Sequence, residues 1–163
     1  MANHPLQLTD SPVAKTGMLI RKPVTEVFEA FVDPAITARF WFTKGSGRLV
    51  AGEQVQWEWE MYGISVPVKV TVIESPTRIV IEWPGQASDT TTVEWRFKPL
   101  ADGHTFVSIT NSGFTGSGDE QVQQALDSMQ GFSLVLAGLK AWLEHNIQLN
   151  LVLDRFPAGI EDH

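Results

Sequence analysis

The sequence predicts an α+β protein in which a curved antiparallel sheet wraps around a long C-terminal helix, with two short helices between the first two strands. Three observations predict this: a succession of short alternating apolar and polar segments between residues 54 and 111, two brief helical patterns before them, and an apolar stripe at helical spacing over residues 119–150.

The first ordered segment is expected at Val13 to Arg21, a mostly apolar strand broken by Lys22 and Pro23. Thr25 and Glu26 then open a helix over Val24 to Val32, in which Val27, Phe28 and Phe31 recur at helical spacing. Asp33 is a good cap and Pro34 is preset for a first turn, so a second helix should follow. It is expected to carry Ile36, Phe40 and Trp41 inward and to stop near Lys44, before the turn-prone Gly45, Ser46 and Gly47.

Strand chemistry dominates next. Gln54 to Glu60 alternates so that Val55, Trp57 and Trp59 share one face. After a turn at Tyr62 and Gly63, Val66, Val68, Val70 and Val72 form the apolar side of a hairpin partner. Ser75-Pro76 turns the chain into Ile79, Ile81 and Trp83, and Pro84-Gly85 ends that strand. Val93, Trp95 and Phe97 define another, and Asp102-Gly103 leads to a last one over Thr105 to Asn111, with Val107 and Ile109 inward. Consecutive hairpins imply an antiparallel meander. Glu58, Glu60, Glu82 and Glu94 alternate with the inward aromatics, so they face outward, where Lys69 or Arg96 suffices as cross-strand partner.

Asp119 can cap the long helix, whose stripe is Val122, Leu126, Met129, Phe132, Leu136, Leu139, Leu143 and Ile147. Residues 119–150 would span on the order of 45 Å, enough to cross a whole sheet. Leu134, Val135, Trp142 and Leu149 fall off the stripe, and their expected cover is the C-terminal tail, with a second subunit in a homodimer as the alternative. The organisation is then a flexible N-terminal arm at 1–12, one domain at 13–153 and a C-terminal tail at 154–163.

Composition narrows the function. A chain of 163 residues with 43% hydrophobic residues can build a real core, which excludes wholesale disorder. The net charge of -7 is the wrong sign for a phosphate-binding surface, so nucleic acid is not an expected partner. Without cysteine there is no disulfide, thiolate nucleophile or cysteine metal site. No run of about 18 apolar residues signals a membrane span, and MANHPLQLTD has no export character, so a cytoplasmic location is expected. His4, His104, His145 and His163 show no metal-ligand spacing, and Glu144 beside His145 reads as solvated surface. The segment Gly113 to Gly118 matches no phosphate-binding loop and reads as a connector or gate. No metal, cofactor or catalytic constellation is expected.

Three stretches carry a family resemblance: RKPVTEVFEAFVDPAITARFWF, VIESPTRIVIEW, and HTFVSITNSGF followed by the helix with QGFSLVLAGLKAWLEH. In this order they resemble the START-like, or SRPBCC, helix-grip superfamily, and within it the branch of activators of the heat-shock-protein-90 ATPase. The family's Gly-Trp pair in the long helix is here Gly131-Phe132, and its tryptophan pair after the short helices is Trp41-Phe42. The resemblance implies a hydrophobic cavity between sheet and long helix that takes apolar ligands, and no single reaction.

The candidate ligand-binding residues follow from this frame. Six Trp and nine Phe against one Tyr is an unusual balance, and Trp57, Trp59, Trp83 and Trp95 are expected on one inner face as an aromatic wall, with Met129 and Phe132 from the helix opposite. Trp41 belongs to the expected cavity mouth, and Arg39 beside it is placed to orient an anionic head group. Tyr62 offers a hydroxyl and Asn111 an inward amide. The expected function is binding of a small apolar or aromatic ligand. The alternatives are a co-chaperone-like contact with a chaperone partner and an enzyme resembling polyketide cyclases.

Overall fold

The computed structural model describes residues 5–85 and 89–160. His4 and His163 lie outside the described residues. The chain forms β1 (Ala14–Ile20), α1 (Val24–Val32), α2 (Pro34–Thr37), β2 (Lys44–Gly45), β3 (Gln54–Trp59), a 3-10 turn (Glu60–Tyr62), β4 (Ile64–Glu74), β5 (Arg78–Pro84), β6 (Thr90–Pro99), β7 (Thr105–Ser112), α3 (Gly118–His145) and α4 (Leu151–Arg155). Seven strands make one sheet in the order β1-β7-β6-β5-β4-β3-β2, antiparallel throughout.

Alternation sets the inner face. Ile79 and Ile81 of β5, Val93, Trp95 and Phe97 of β6, and Val107 and Ile109 of β7 are buried together under the helical layer. From α1, Val27, Phe28 and Phe31 join them, and Phe28 and Phe31 meet Phe97 with ring centroids 5.1 and 5.9 Å apart. The outer face carries charges. Glu94 accepts from Arg78 at 2.6 Å and Arg96 at 3.2 Å, and Lys44 approaches Glu58 at 4.0 Å. Burial alone would raise the Glu94 carboxyl, but the bonds from Arg78 and Arg96 outweigh it and hold it below the usual range.

Several sequence expectations need correction. The second helix ends at Thr37, whose hydroxyl donates to Ala30 O, and the chain to Trp41 continues as turns. Pairing with β3 takes over immediately afterwards: Thr43 N–H donates to Glu58 O and Ser46 N–H to Gln56 O, so Lys44 and Gly45 form an edge strand rather than a loop. In β4 a bulge between Val70 and Val72 shifts the register, so Val72 faces Val80 and Ile73 takes the place opposite Ile79. The long helix stops at His145 because Asn146 adopts φ 54°, a left-handed cap that asparagine tolerates. The segment beyond it is partly helical, since α4 crosses the expected 153/154 boundary.

The long helix keeps the expected stripe at Phe132, Leu136 and Leu139 but departs from it in its first half. Its buried residues include Gln124, Ala125, Phe132, Val135, Leu136 and Leu139, whereas Leu126, Met129 and Ile147 are exposed. Glu144 is not a solvated surface group. Its side chain is only 9% exposed, and the carboxylate accepts from Arg21 N–H at 2.9 Å and Lys140 Nζ at 2.7 Å, while Lys140 also donates to Leu19 O. This knot fixes α3 to the end of β1. Burial raises the Glu144 carboxyl, yet the bonds from Arg21 and Lys140 hold it below its ordinary value. No described helix is long and apolar enough to cross a membrane.

Candidate ligand cavity

The site begins with Trp41, delivered by the non-helical segment after α2 rather than by the sheet. Its ring centroid lies 4.8 Å from Trp57, 5.6 Å from Phe132, 5.8 Å from Trp83 and 6.1 Å from Trp95. Edge-to-face contacts of this kind are worth about 0.5–1.5 kcal/mol each beyond area burial. Trp41 therefore divides the expected aromatic wall in two. Trp57 and Trp95 lie behind it as core, 2% and 1% exposed, and neither belongs to the lining of the two chambers beside Trp41. Phe42 stacks on Trp57 at 4.9 Å and completes that layer. The Trp95 indole N–H has no hydrogen-bond partner among the described residues.

On the other side of Trp41 the packing opens. A cavity of about 280 Å³ lies between the sheet and α3, walled by Trp41, Trp59, Trp83, Phe114, Phe132 and Val135. A second chamber of about 540 Å³ is bounded by Tyr62, Ile64 and Val66 of the β3–β4 hairpin. Trp59, Trp83, Pro84, Val152 and Phe156 belong to both linings, so the two spaces share a wall. These sizes suit small organic ligands, whose pockets run to roughly 300–1,000 Å³.

One end of the first chamber is polar. Asn111, 4% exposed at the end of β7, donates from Nδ2 to Thr92 O at 2.8 Å and Thr91 Oγ1 at 3.2 Å, and its Oδ1 accepts from Ser128 Oγ at 2.8 Å. Gln124 donates from Nε2 to Thr115 O and Glu120 O. Gly131, about two turns along α3 from Gln124, lines the same space, and a Cβ built there meets nothing within 4 Å. Gly138 is the opposite case: its Cβ would stand 3.0 Å from Phe40 Cβ and 3.1 Å from Phe40 O. That close approach positions the Trp41 segment against the helix.

The other candidates separate. Trp59, Trp83, Asn111 and Phe132 meet Trp41 at the cavity. Met129 is 42% exposed and points away, since it sits about 100° around the helix from Ser128. Arg39 lies in a different hollow of about 360 Å³ with Phe40, Glu60 and Gln148, and its guanidinium rests 5.1 Å from the Trp142 ring centre. It has no place at the aromatic cavity. Tyr62 borders the second chamber, but its hydroxyl donates to Phe156 O at 2.9 Å and Val152 O at 3.3 Å, which ties down α4. Burial, and then the charge of Asp154, raise its phenol. Sequence reasoning missed Phe114, Gln124, Ser128 and Gly131. Only Gly131 carried a signal, as a glycine inside a helical pattern.

A seven-stranded antiparallel sheet gripping one long helix, with a cavity between them, defines a helix-grip protein of the START-like class. Residues 21–144 match the family described as Activator of Hsp90 ATPase homolog 1-like protein, and the chain belongs to that family. Among solved structures it is similar to protein SSP2350 from Staphylococcus saprophyticus, with 28% identity, TM-score 0.71, and coverage of 85% of this chain and 96% of that one. The Aha1 dimer from Colwellia psychrerythraea shares the fold at 18% identity and TM-score 0.69, covering 82% of this chain and 97% of the other. DynU16, a protein in the dynemicin biosynthetic locus, does so at 20% identity and TM-score 0.69, over 83% of this chain and 48% of its own. No curated protein gives a significant sequence match.

Proposed function

We propose that this protein binds a small apolar or aromatic ligand in the cavity between the sheet and α3. The observation that carries the reading is Gly131. A glycine inside a helix costs about 1 kcal/mol relative to alanine. No neighbour requires one here, because the added Cβ would meet only open space. The helix thus forgoes stability at a position that lines the cavity and where no neighbour excludes a side chain. The surrounding Trp41, Trp83 and Phe132 supply flat apolar faces, and the Asn111 corner supplies orientation.

Native mass spectrometry of gently purified protein tests this. A reproducible extra mass, absent from Gly131→Leu, is the expected result. A bare mass combined with no uptake of any aromatic compound overturns the reading. A second reading rests on family membership: contact with a chaperone of the Hsp90 type through the protein surface. Stimulation of chaperone ATPase by the wild type and equally by Gly131→Leu supports it, and no stimulation by either removes it. The dimeric relative makes self-association of this chain a further proposal, which sedimentation decides.

A further inference from the structure

The chemistry of the polar corner narrows the ligand, on the premise that the cavity is a ligand site. Two amides there have their orientation fixed by backbone carbonyls, which only accept. Asn111 Nδ2 is held by Thr92 O, so Oδ1 is the atom facing Ser128, and the Ser128 hydroxyl hydrogen is committed to it. Ser128 Oγ can then offer the cavity only lone pairs. Gln124, 7% exposed, commits Nε2 to Thr115 O at 2.9 Å and Glu120 O at 3.2 Å. Its Oε1 is left on the side of Gly85, 3.8 Å from where a Cβ on that residue would stand, and Gly85 lines the same chamber.

Charge points the same way. Asp127 is the one charged side chain in the described lining of the first chamber, and the second chamber's described lining carries none. Residues 86–88, between Gly85 and the start of β6, are Gln, Ala and Ser and bring no charge by sequence. Arg39, the cation expected for an anionic head group, lies in another hollow. An anion entering here would meet the acceptor oxygens of Ser128 and Gln124, and would lose its hydration with no cation from the described linings in return.

We infer that the cavity selects an aromatic ligand whose head is a hydrogen-bond donor, an O–H or N–H group, and rejects carboxylates and phosphates. The aromatic walls hold the body, and Ser128 Oγ and Gln124 Oε1 receive the head. An ether or ketone of the same shape leaves those acceptors unpaired.

A matched series of naphthol, its methyl ether and naphthoate, titrated calorimetrically into the full chain at neutral pH, tests this. Naphthol is expected to bind tightest, the ether about tenfold more weakly for the lost hydrogen bond, and naphthoate more weakly still. Naphthoate binding as tightly as naphthol overturns the inference. Equal binding of all three, abolished in Gly131→Leu, also overturns it but leaves the cavity as a ligand site. No binding of any of the three, with no copurified molecule, removes both.

Discussion

The same substitution at two glycines of α3 should change stability in opposite directions. Alanine is favoured over glycine in a helix interior by about 1 kcal/mol, chiefly through the reduced freedom of the unfolded chain. At Gly131 the new methyl meets nothing within 4 Å, so Gly131→Ala should keep most of that gain and stabilise by about 0.5–1 kcal/mol. At Gly138 the methyl would be pressed 3.0 Å from Phe40 Cβ and 3.1 Å from its carbonyl oxygen. Backbone cannot swing aside as a side-chain end can, and overpacking costs about 1–3 kcal/mol, so Gly138→Ala should destabilise by about 1–2 kcal/mol. Urea denaturation followed by tryptophan fluorescence measures both. If Gly131→Ala destabilises the protein, the space beside it is not open and the cavity argument fails. If Gly138→Ala stabilises it, the close approach of helix and Trp41 segment is wrong.

Other consequences are equally direct. Glu144 has a folded-state pKa below its unfolded value, so its stabilisation is fully present above the unfolded value and is lost as pH falls through the folded one. Glu144→Gln should lower stability by about 1.5–3 kcal/mol at neutral pH and flatten the acid limb of the stability profile; an unchanged limb contradicts the knot with Arg21 and Lys140. Tyr62→Phe removes the bonds to Val152 O and Phe156 O, and hydrogen exchange should quicken at residues 151–156 while β6 and β7 stay protected. Exchange there at the wild-type rate shows that the hydroxyl does not hold α4. Asn111→Ala strips partners from Thr91, Thr92 and Ser128 and should cost about 2–3 kcal/mol in the same urea assay. A loss well below 1 kcal/mol would mean water replaces the amide without penalty.

Much of the sheet was legible because period-two alternation is a local signal. The inner sets of β5, β6 and β7 follow directly from Ile79 and Ile81, Val93 and Trp95, and Val107 and Ile109. The bulge in β4 and the edge strand β2 were not legible, since both depend on what the neighbouring strand offers. The expected stripe of α3 holds at Phe132, Leu136 and Leu139 and fails in the first half of the helix for a more informative reason. Its cavity-facing residues include Gln124, Ser128 and Gly131, which an apolar-stripe reading passes over, while Leu126 and Met129 face solvent. Local rules break where a helix lines a site. The four inward tryptophans were found together, but which of them borders open space is decided by Trp41, from a segment with no periodicity. Arg39 sits in another hollow and the Tyr62 hydroxyl is spent within the fold, neither of which was legible because their partners, Trp142 and the carbonyls of Val152 and Phe156, are far away in sequence.

The claim on which the rest depends is that the space beside Gly131 is real and apolar-walled. A crystal structure determined under xenon pressure tests it directly, since apolar cavities of this kind take up xenon. The account predicts density, from xenon or from a copurified molecule, bounded by Trp41, Trp83 and Phe132. Those three rings closed against α3 with no density between them would contradict it.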